Sequence, residues 1–267
     1  MAFPTSLYGT LQDINECSAA QKHPLGTRLV IDDGRVFHYA KNGAVALAKG
    51  KLVCSTAVDA EHNVDLPLQD AGTTLATYLH PLVDLATTGT QVAANTYKEG
   101  WMIAHTGTGA GQVIKLKTND IGGSTAEAAM KIYFEDGNYL TAALDTSSSK
   151  VGLCKNPYAD VVICPQYATY TVVSKPVGVP LATITASYYF WIQTWGPAPV
   201  LMGATPVEGE VIIEGGTSTG AAGEATILGV STSATGHGVR LDLPHLGVVI
   251  SGDADAEYAL VFLQLDP

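Results

Sequence analysis

The sequence predicts an all-β protein of two or more small β-barrel or β-sandwich modules built of short strands, with an extended N-terminal arm and little helix. Three observations lead to this prediction. Gly and Pro account for 28 and 13 of the 267 residues, which suits many tight turns. Short apolar stretches bounded by turn residues recur along the whole chain. Long runs of helix-forming residues at helical spacing are missing.

Residues 1–26 form the predicted arm, because prolines and glycines interrupt them and no period is visible. One short helical turn is expected near residues 11–18. The apolar side chains of Leu7 and Leu11 are candidates for contact with a neighbouring subunit. An arm folded back on its own domain is the alternative.

Residues 27–155 form the first predicted β module. It begins with two strands around Asp33-Gly34, a favoured pair in two-residue hairpin loops. The section from about 66 to 155 is expected to be a hairpin insertion or a separate β domain. Strands are predicted at 27–31, 35–39, 50–56, 66–68, 74–79, 101–105, 112–117, 128–134, 150–154 and 160–164.

Residues 156–267 form a second, β-barrel-like module, reached through a Pro/Gly-rich crossover over 156–178. Strands are predicted at 178–185, 187–194, 209–214, 223–230, 247–251 and 257–265. The strand at 187–194 carries aromatic residues on both faces, so it is expected to be central in its sheet or at an interface.

This aromatic strand supplies the other candidate interface residues, Tyr189, Trp191 and Trp195. Aromatic side chains dominate the energetics of cores and of interfaces, so the strand either packs inside the domain or joins two copies. Together with Gln193, the two tryptophans also resemble a carbohydrate-stacking platform in composition.

Charge and hydropathy exclude several classes of partner. The formal net charge of −11 repels phosphate backbones and anionic lipids, so neither nucleic acid nor a membrane is an expected partner. The N-terminus lacks a basic region followed by an apolar run, so no signal peptide is predicted. No apolar run is long enough to span a bilayer, which takes about 18 residues or more.

The four cysteines are expected to be reduced, mostly buried thiols of a protein made in a reducing cytoplasm. Cys154 and Cys164 are close enough in sequence to lie on adjacent strands. No pair among the four has zinc-ligand spacing. The cysteines are Cys17, Cys54, Cys154 and Cys164.

Motif analysis predicts no catalytic residue, no cofactor and no metal site. The segment GTGAGQ (107–112) is rich in glycine, but an alternating strand follows where a phosphate loop needs a helix. We therefore expect the tip of a β-hairpin, where glycine supplies positive φ. None of the seven histidines has a metal-motif neighbour, and no serine lies in a G-x-S-x-G elbow.

Four runs, in this order, resemble a group of tailed-bacteriophage virion structural proteins. They are LGTRLVIDDGRVFHYAKNGAVALAKGKLV (25–53), YKEGWMIAHTGTGAGQVIKLK (97–117), NPYADVVI (156–163) and PLATITASYYFWIQTWGPAPVL (180–201). The resemblance covers the chain from about residue 25 to its end and rests on the order of these phrases, without a catalytic signature. The second half also looks like small β-barrel capsid decoration (cement) proteins.

The resemblance implies a non-enzymatic protein on the outer capsid surface of a virion, made in the host cytoplasm and stabilising contacts between capsomers. Its expected partners are the major capsid protein and further copies of itself, with a trimer as one option. The alternative is a head-fibre, spike or tail accessory protein that binds a host glycan or receptor.

Overall fold

A computed structural model describes residues 6–68, 82–86, 92–122, 129–165, 174–214, 222–228 and 244–266. The fold is all-β, as predicted: within these ranges the one helical element is a 3-10 turn at Asp13–Asn15. The chain divides into two compact units. Unit 1 comprises Met1–Thr56 and Pro157–Pro267, and unit 2 comprises Ala57–Asn156. Unit 2 lies close to the insertion predicted at about 66–155, whereas residues 1–56 belong with the C-terminal segment.

The described strands fall into three sheets. They are β1 (Ser6–Gly9), β2 (Cys17–Ser18), β3 (Arg28–Ile31), β4 (Val36–Lys41), β5 (Val53–Cys54), β6 (Leu66–Pro67), β7 (Leu82–Ala86), β8 (Trp101–Thr106), β9 (Val113–Asn119), β10 (Ala129–Phe134), β11 (Lys150–Cys154), β12 (Val162–Ile163), β13 (Pro176–Gly178), β14 (Tyr189–Leu201), β15 (Val211–Glu214), β16 (Ala225–Ile227), β17 (Gly247–Ser251) and β18 (Tyr258–Gln264).

The largest sheet belongs to unit 1 and has the order β1-β3-β4-β14-β18-β17-β15-β16, with β2 also paired to β14. β1 and β3 are parallel, and the other pairs are antiparallel. The β3–β4 hairpin turns at Asp33-Gly34 as predicted, with Gly34 at φ +84°. The long strand β14 is central, as its two aromatic faces predicted.

The N-terminal segment folds onto its own unit, which was the alternative to an arm reaching a neighbour. β1 adds to the edge of β3, and the predicted helical turn is the 3-10 turn at Asp13–Asn15. The Asp13 carboxylate accepts hydrogen bonds from Thr10 N, at 2.7 Å, and from Thr10 Oγ1, at 3.0 Å. Ile14 is buried in the same apolar cluster as Leu29 and Phe37.

One predicted strand is largely absent from the structure. The strand expected at 178–185 is reduced to β13, and the residues after Gly178 run through turns and an isolated bridge between Leu47 and Ile184. Pro180 and the glycine at 178, with its positive φ of +153°, interrupt a regular strand there. The strand expected at 74–79 lies outside the described residues.

A small sheet of order β12-β5-β13 completes unit 1 and corrects the prediction of four reduced cysteines. Cys54 on β5 and Cys164 just after β12 form a disulfide, with Cα atoms 4.9 Å apart. Cys17 and Cys154 are free. The pairing was not predictable because 110 residues separate the two partners, and only the β5–β12 ladder brings them together.

The described strands of unit 2 form one six-stranded sheet of order β6-β11-β8-β9-β10-β7. A bridge between Leu68, next to β6, and Leu85 of β7 joins its edge strands, so the sheet closes on itself as a small barrel. Closure satisfies edge groups that would otherwise be unpaired. The inward-facing side chains form one apolar cluster that includes Tyr97, Met102, Leu116 and Ile132.

Candidate functional site: the outer face of the β14–β18–β17 sheet

Trp191 and Tyr189, two of the predicted interface residues, lie at the N-terminal end of β14. Trp191 is only 3% exposed and packs against Phe37 and Tyr39 in a core of unit 1. Tyr189 is half-buried, and its ring stacks on that of Tyr39 with centroids 5.9 Å apart. The core alternative therefore describes Trp191 in this structure, and its side chain is not presented to a partner.

Leu7 and Leu11, the candidates in the N-terminal segment, differ in exposure. Leu7 on β1 is half-buried against the cluster that holds Trp191. Leu11 is 58% exposed in the turn that precedes Asp13. Leu11 therefore remains available for a contact, whereas Leu7 contributes mainly to its own unit.

Trp195, the last predicted candidate, lies on the outer face of the large sheet. It is half-buried, and its ring meets Phe262 edge-on with centroids 5.6 Å apart. From Trp195 onwards β14 pairs with β18, so that Pro197 lies opposite Phe262 and Pro199 opposite Leu260. Trp195 thus begins a row of apolar side chains shared by the two strands.

This row belongs to a larger apolar surface, which we call the outer face. Its members are partly or well exposed, and residues paired across the strands project from the same side of the sheet. They are Trp195, Pro197, Pro199 and Leu201 of β14, Tyr258, Leu260 and Phe262 of β18, Val248 of β17 and Val211 of β15.

The opposite side of the same strands forms a core. Ala198, Val200, Val261 and Leu263 alternate with the outer-face residues and are fully buried. An antiparallel sheet with one solvated side normally places polar residues there. This sheet is apolar on both sides instead, which makes the outer face the candidate functional site.

The electrostatics of the outer face set it apart from the chain as a whole. None of its nine residues carries a charge, although the protein has a net charge of −11. Lys49 lies beside this face, with its Nζ 5.7 Å from the centre of the Tyr258 ring. A neutral apolar surface on an acidic protein is where a second protein can approach without bringing carboxylates together.

Part of this surface was detectable in the sequence. In YALVFL (258–263) both alternating sets of residues are apolar, which indicates that both sides of the strand are covered. The GPAPVL segment (196–201) does not predict a strand, because Gly and Pro usually end strands. Which of the two sides faces a core depends on tertiary structure alone.

Unit 1 also contains a buried histidine with hydroxyl and carboxylate neighbours. His38 Nδ1 lies 3.1 Å from Thr194 Oγ1, and Thr194 donates its proton to the main-chain oxygen of Asp266 at 2.6 Å. His38 Nε2 lies 3.7 Å from the Asp266 carboxylate, which also accepts a hydrogen bond from Tyr158. Burial, more than any nearby charge, lowers the pKa of His38.

This cluster is a packed polar network rather than a nucleophile and its base. Thr194 is fully buried, and its only proton is already donated to a carbonyl oxygen. A general base would have to accept that proton, and the hydroxyl would have to reach a substrate. The network instead attaches residue 266 to the sheet.

The glycine-rich segment Gly107–Gln112 is the tip of the β8–β9 hairpin, as predicted. Gly107, Gly109 and Gly111 have φ of +80°, +76° and +88°. Ala104 and Gln112 pair across the strands through an N–H to O=C bond of 2.9 Å. A strand follows the glycines, so the segment lacks the helix N-terminus on which phosphate loops depend.

Comparisons of the chain with protein-family models, with curated proteins and with solved structures find no match. Within the part of the chain that the structure describes, no helix has the length and apolar character needed to cross a membrane.

Proposed function

We propose that this chain is a non-enzymatic structural protein of a tailed-bacteriophage virion, of the capsid decoration type. In this proposal many copies bind the outer surface of the shell and stabilise contacts between capsomers. The observation that carries the association is the outer face, because an uncharged apolar sheet surface favours contact with protein. The assignment to a virion rests on the resemblance of the four sequence runs.

The size of the outer face suits the centre of a protein–protein interface. Seven residues of β14 rise about 3.3 Å each and neighbouring strands lie about 4.8 Å apart, so the face covers roughly 300 Å². A standard interface buries on the order of 800 Å² per partner and has a polar rim around its apolar core. The outer face therefore supplies the apolar core, and the surrounding loops would supply the rim.

Stabilisation of a shell follows from binding to one of its states. A protein that binds the expanded shell and not the unexpanded one shifts the equilibrium by mass action. Burial of the outer face against a second copy would link neighbouring binding sites on the shell. Many weak contacts of this kind add up through multivalency.

The oligomeric state of Leu260→Lys compared with wild type tests the self-association. Leu260 is 43% exposed at the middle of the outer face, so the change adds a charge without opening a core. We expect the Leu260→Lys oligomer to dissociate at least about 100-fold more readily than the wild-type oligomer in analytical ultracentrifugation, because the interface would bury an unpaired lysine.

Val113→Lys is the matched control, since Val113 is 56% exposed on strand β9 of unit 2. It should leave the oligomer intact. A wild-type protein that stays monomeric at all concentrations, or an unaffected Leu260→Lys oligomer, would contradict the role of the outer face. Trp191→Ala is unsuitable for this purpose because Trp191 is part of a core.

Quantitative mass spectrometry of purified virions tests whether the protein is a component of the capsid shell. A decoration protein should be present in hundreds of copies, at a simple ratio to the major capsid protein. A dozen copies or fewer would favour the head-fibre, spike or tail accessory alternative, and absence from virions would refute both.

The aromatic rings of the outer face support a second candidate function, recognition of a host glycan or receptor. Trp195, Phe262 and the 48%-exposed Tyr258 form an apolar surface on which sugar rings can stack. Glycan titration of the isolated protein, with Tyr258→Ala as the variant, distinguishes this candidate from shell binding.

A further inference from the structure

Cys54, Cys164 and Glu214 form a buried group in unit 1 that the proposed function does not use. All three residues are buried, and one sulfur or oxygen atom from each lies within 4.8 Å of the other two. Cys54 is on β5, Cys164 follows β12 and Glu214 ends β15. Three separate parts of the fold therefore place sulfur, sulfur and carboxylate together.

The surroundings of this group are apolar. Both sulfurs belong to the cluster that contains Leu52, Val200 and Met202. Glu214 is 5% exposed. Burying a carboxyl group is unfavourable unless it has a partner, so its position beside the two sulfurs needs a physical reason.

The disulfide alone does not provide that reason. Cys54 Sγ lies 3.7 Å from Glu214 Oε1, but a disulfide sulfur has no proton to donate. Among the described residues, this sulfur is the one polar contact recorded for the carboxylate. Cys54 can donate to the carboxylate once it is a thiol, and a cation between the three groups would pair with it.

We propose that the reduced form of this group binds a thiophilic divalent cation of the Zn²⁺ type, through Cys54, Cys164 and Glu214. Two thiolates and one carboxylate are ordinary zinc ligands, and a water can complete a tetrahedron. Two Zn–S bonds of about 2.3 Å in a tetrahedral site hold the sulfurs about 3.8 Å apart. Once the S–S bond is broken, a small side-chain rotation reaches this separation.

Two thiol molecules reduce the S–S bond by forming their own disulfide and passing on their two protons. A phosphine instead supplies two electrons, and one water molecule supplies the two protons that complete the cysteine thiols. With a phosphine, the phosphorus is oxidised and takes up the oxygen of one water molecule. The cation then displaces both thiol protons, and the proton of Glu214 where it is bound, and the ionised groups become its ligands.

Both forms cross-link the same place in the chain. Cys54 lies shortly before the first residue of unit 2, Ala57, and Cys164 lies shortly after its last residue, Asn156. Either the disulfide or the bound cation therefore joins the two segments through which unit 2 is inserted. In a reducing compartment, where disulfides are rare, the cation would replace the disulfide in this role.

Cobalt titration of the full chain tests the proposal, on a Cys17→Ser, Cys154→Ser background that removes the other two thiols. After phosphine reduction without oxygen, we expect one Co²⁺ per chain, with a thiolate-to-cobalt charge-transfer band that Zn²⁺ abolishes. The oxidised form of the same polypeptide is the control, and it should show no such band.

Two variants on this background assign the ligands. Cys164→Ser should lose the band. Glu214→Gln should bind Co²⁺ at least about 10-fold more weakly, because the loss of an outer-shell partner alone already lowers metal affinity by about 10-fold or more. Glu214→Gln keeps both cysteines, and cooperative urea unfolding of its oxidised form shows that it folds. No band in the reduced background protein, equal binding by the oxidised form, or undiminished affinity of Glu214→Gln would each overturn the proposal.

Discussion

Among single residues, the glycines of the β8–β9 turn are required for different physical reasons. Gly107 and Gly111 both adopt positive φ, which favours glycine. A Cβ atom at Gly107 would lie 2.3 Å from the main-chain oxygen of Ser148, whereas nothing lies within 4 Å of a Cβ at Gly111. Backbone strain applies at both positions, but close packing applies only at Gly107.

Gly107→Ala and Gly111→Ala are therefore a matched pair. We expect Gly111→Ala to lower the free energy of unfolding by about 1 kcal/mol through left-handed strain. Gly107→Ala should cost roughly 3 kcal/mol or more, because the Ser148 backbone must also move. Urea unfolding measures both values, and equal losses would show that the contact with Ser148 is unimportant.

The aromatic pair of β14 shows how far residue identity predicts environment. Trp191 and Trp195 are alike in sequence context, yet one is in a core and the other on the outer face. The register shift between Gln193 and Trp195 in the β4–β14 pairing separates their surroundings. A bulge of this kind changes which side of a sheet a residue faces.

Among the secondary-structure elements, β14 continues through two prolines at which the sequence pattern predicts that a strand ends. Leu201 N donates to Gly50 O, on the side away from β18. Pro197 and Pro199 have the same parity as Leu201 along the strand, so their missing N–H groups fall on that side too. The ladder with β18 loses nothing, which explains why the strand tolerates them.

The β8–β9 hairpin is held to the following segment by one side chain, Gln112. Its Oε1 accepts from Thr141 N at 2.6 Å and from Ala142 N at 3.0 Å. Its Nε2 donates to Gly109 O at 2.8 Å and to Ala142 O at 2.9 Å. The amide thus joins the hairpin tip to residues 141–142 by both of its ends.

Gln112→Glu tests this attachment with almost no change of shape. The carboxylate keeps the acceptor contacts but turns two donor contacts into repulsion with carbonyl oxygens. We expect a loss of about 1–3 kcal/mol in the stability of unit 2, as for buried groups left unsatisfied. Thermal unfolding at neutral pH measures it, and recovery at acid pH, where the carboxyl can donate, would support the cause.

At the scale of the whole molecule, the chain is one unit interrupted by another. Unit 2 has its own closed sheet and its own apolar cluster. In unit 1, β12 pairs with β5, and Thr56 Oγ1 donates to the main-chain oxygen of Asp160. The two points where unit 2 is inserted therefore come together within unit 1.

Excision separates the two units. A chain in which a short Gly-Ser linker replaces residues 57–156 should keep the Cys54–Cys164 disulfide and unfold cooperatively, because its paired segments remain. Residues 57–156 alone should also unfold cooperatively, with a smaller denaturant slope in proportion to the surface exposed. Failure of either piece to fold would show that the units depend on one another.

The features of this chain that depend on short-range chemistry were predictable from local sequence patterns. The all-β class follows from the turn residues and from short apolar runs, and the turns at Asp33-Gly34 and Gly107–Gln112 follow from residues that favour positive φ. Each of these features depends on residues a few positions apart, so one local pattern suffices to predict it.

Tertiary structure alone decided the rest, because it depends on pairs of residues far apart in the chain. Residues 1–56 pair with the C-terminal segment, β1 lies parallel to β3, and Cys54 meets Cys164 across 110 residues. The outer face belongs to this class as well: local alternation shows that β18 is apolar on both sides, but only the packed sheet determines which side is solvent-exposed.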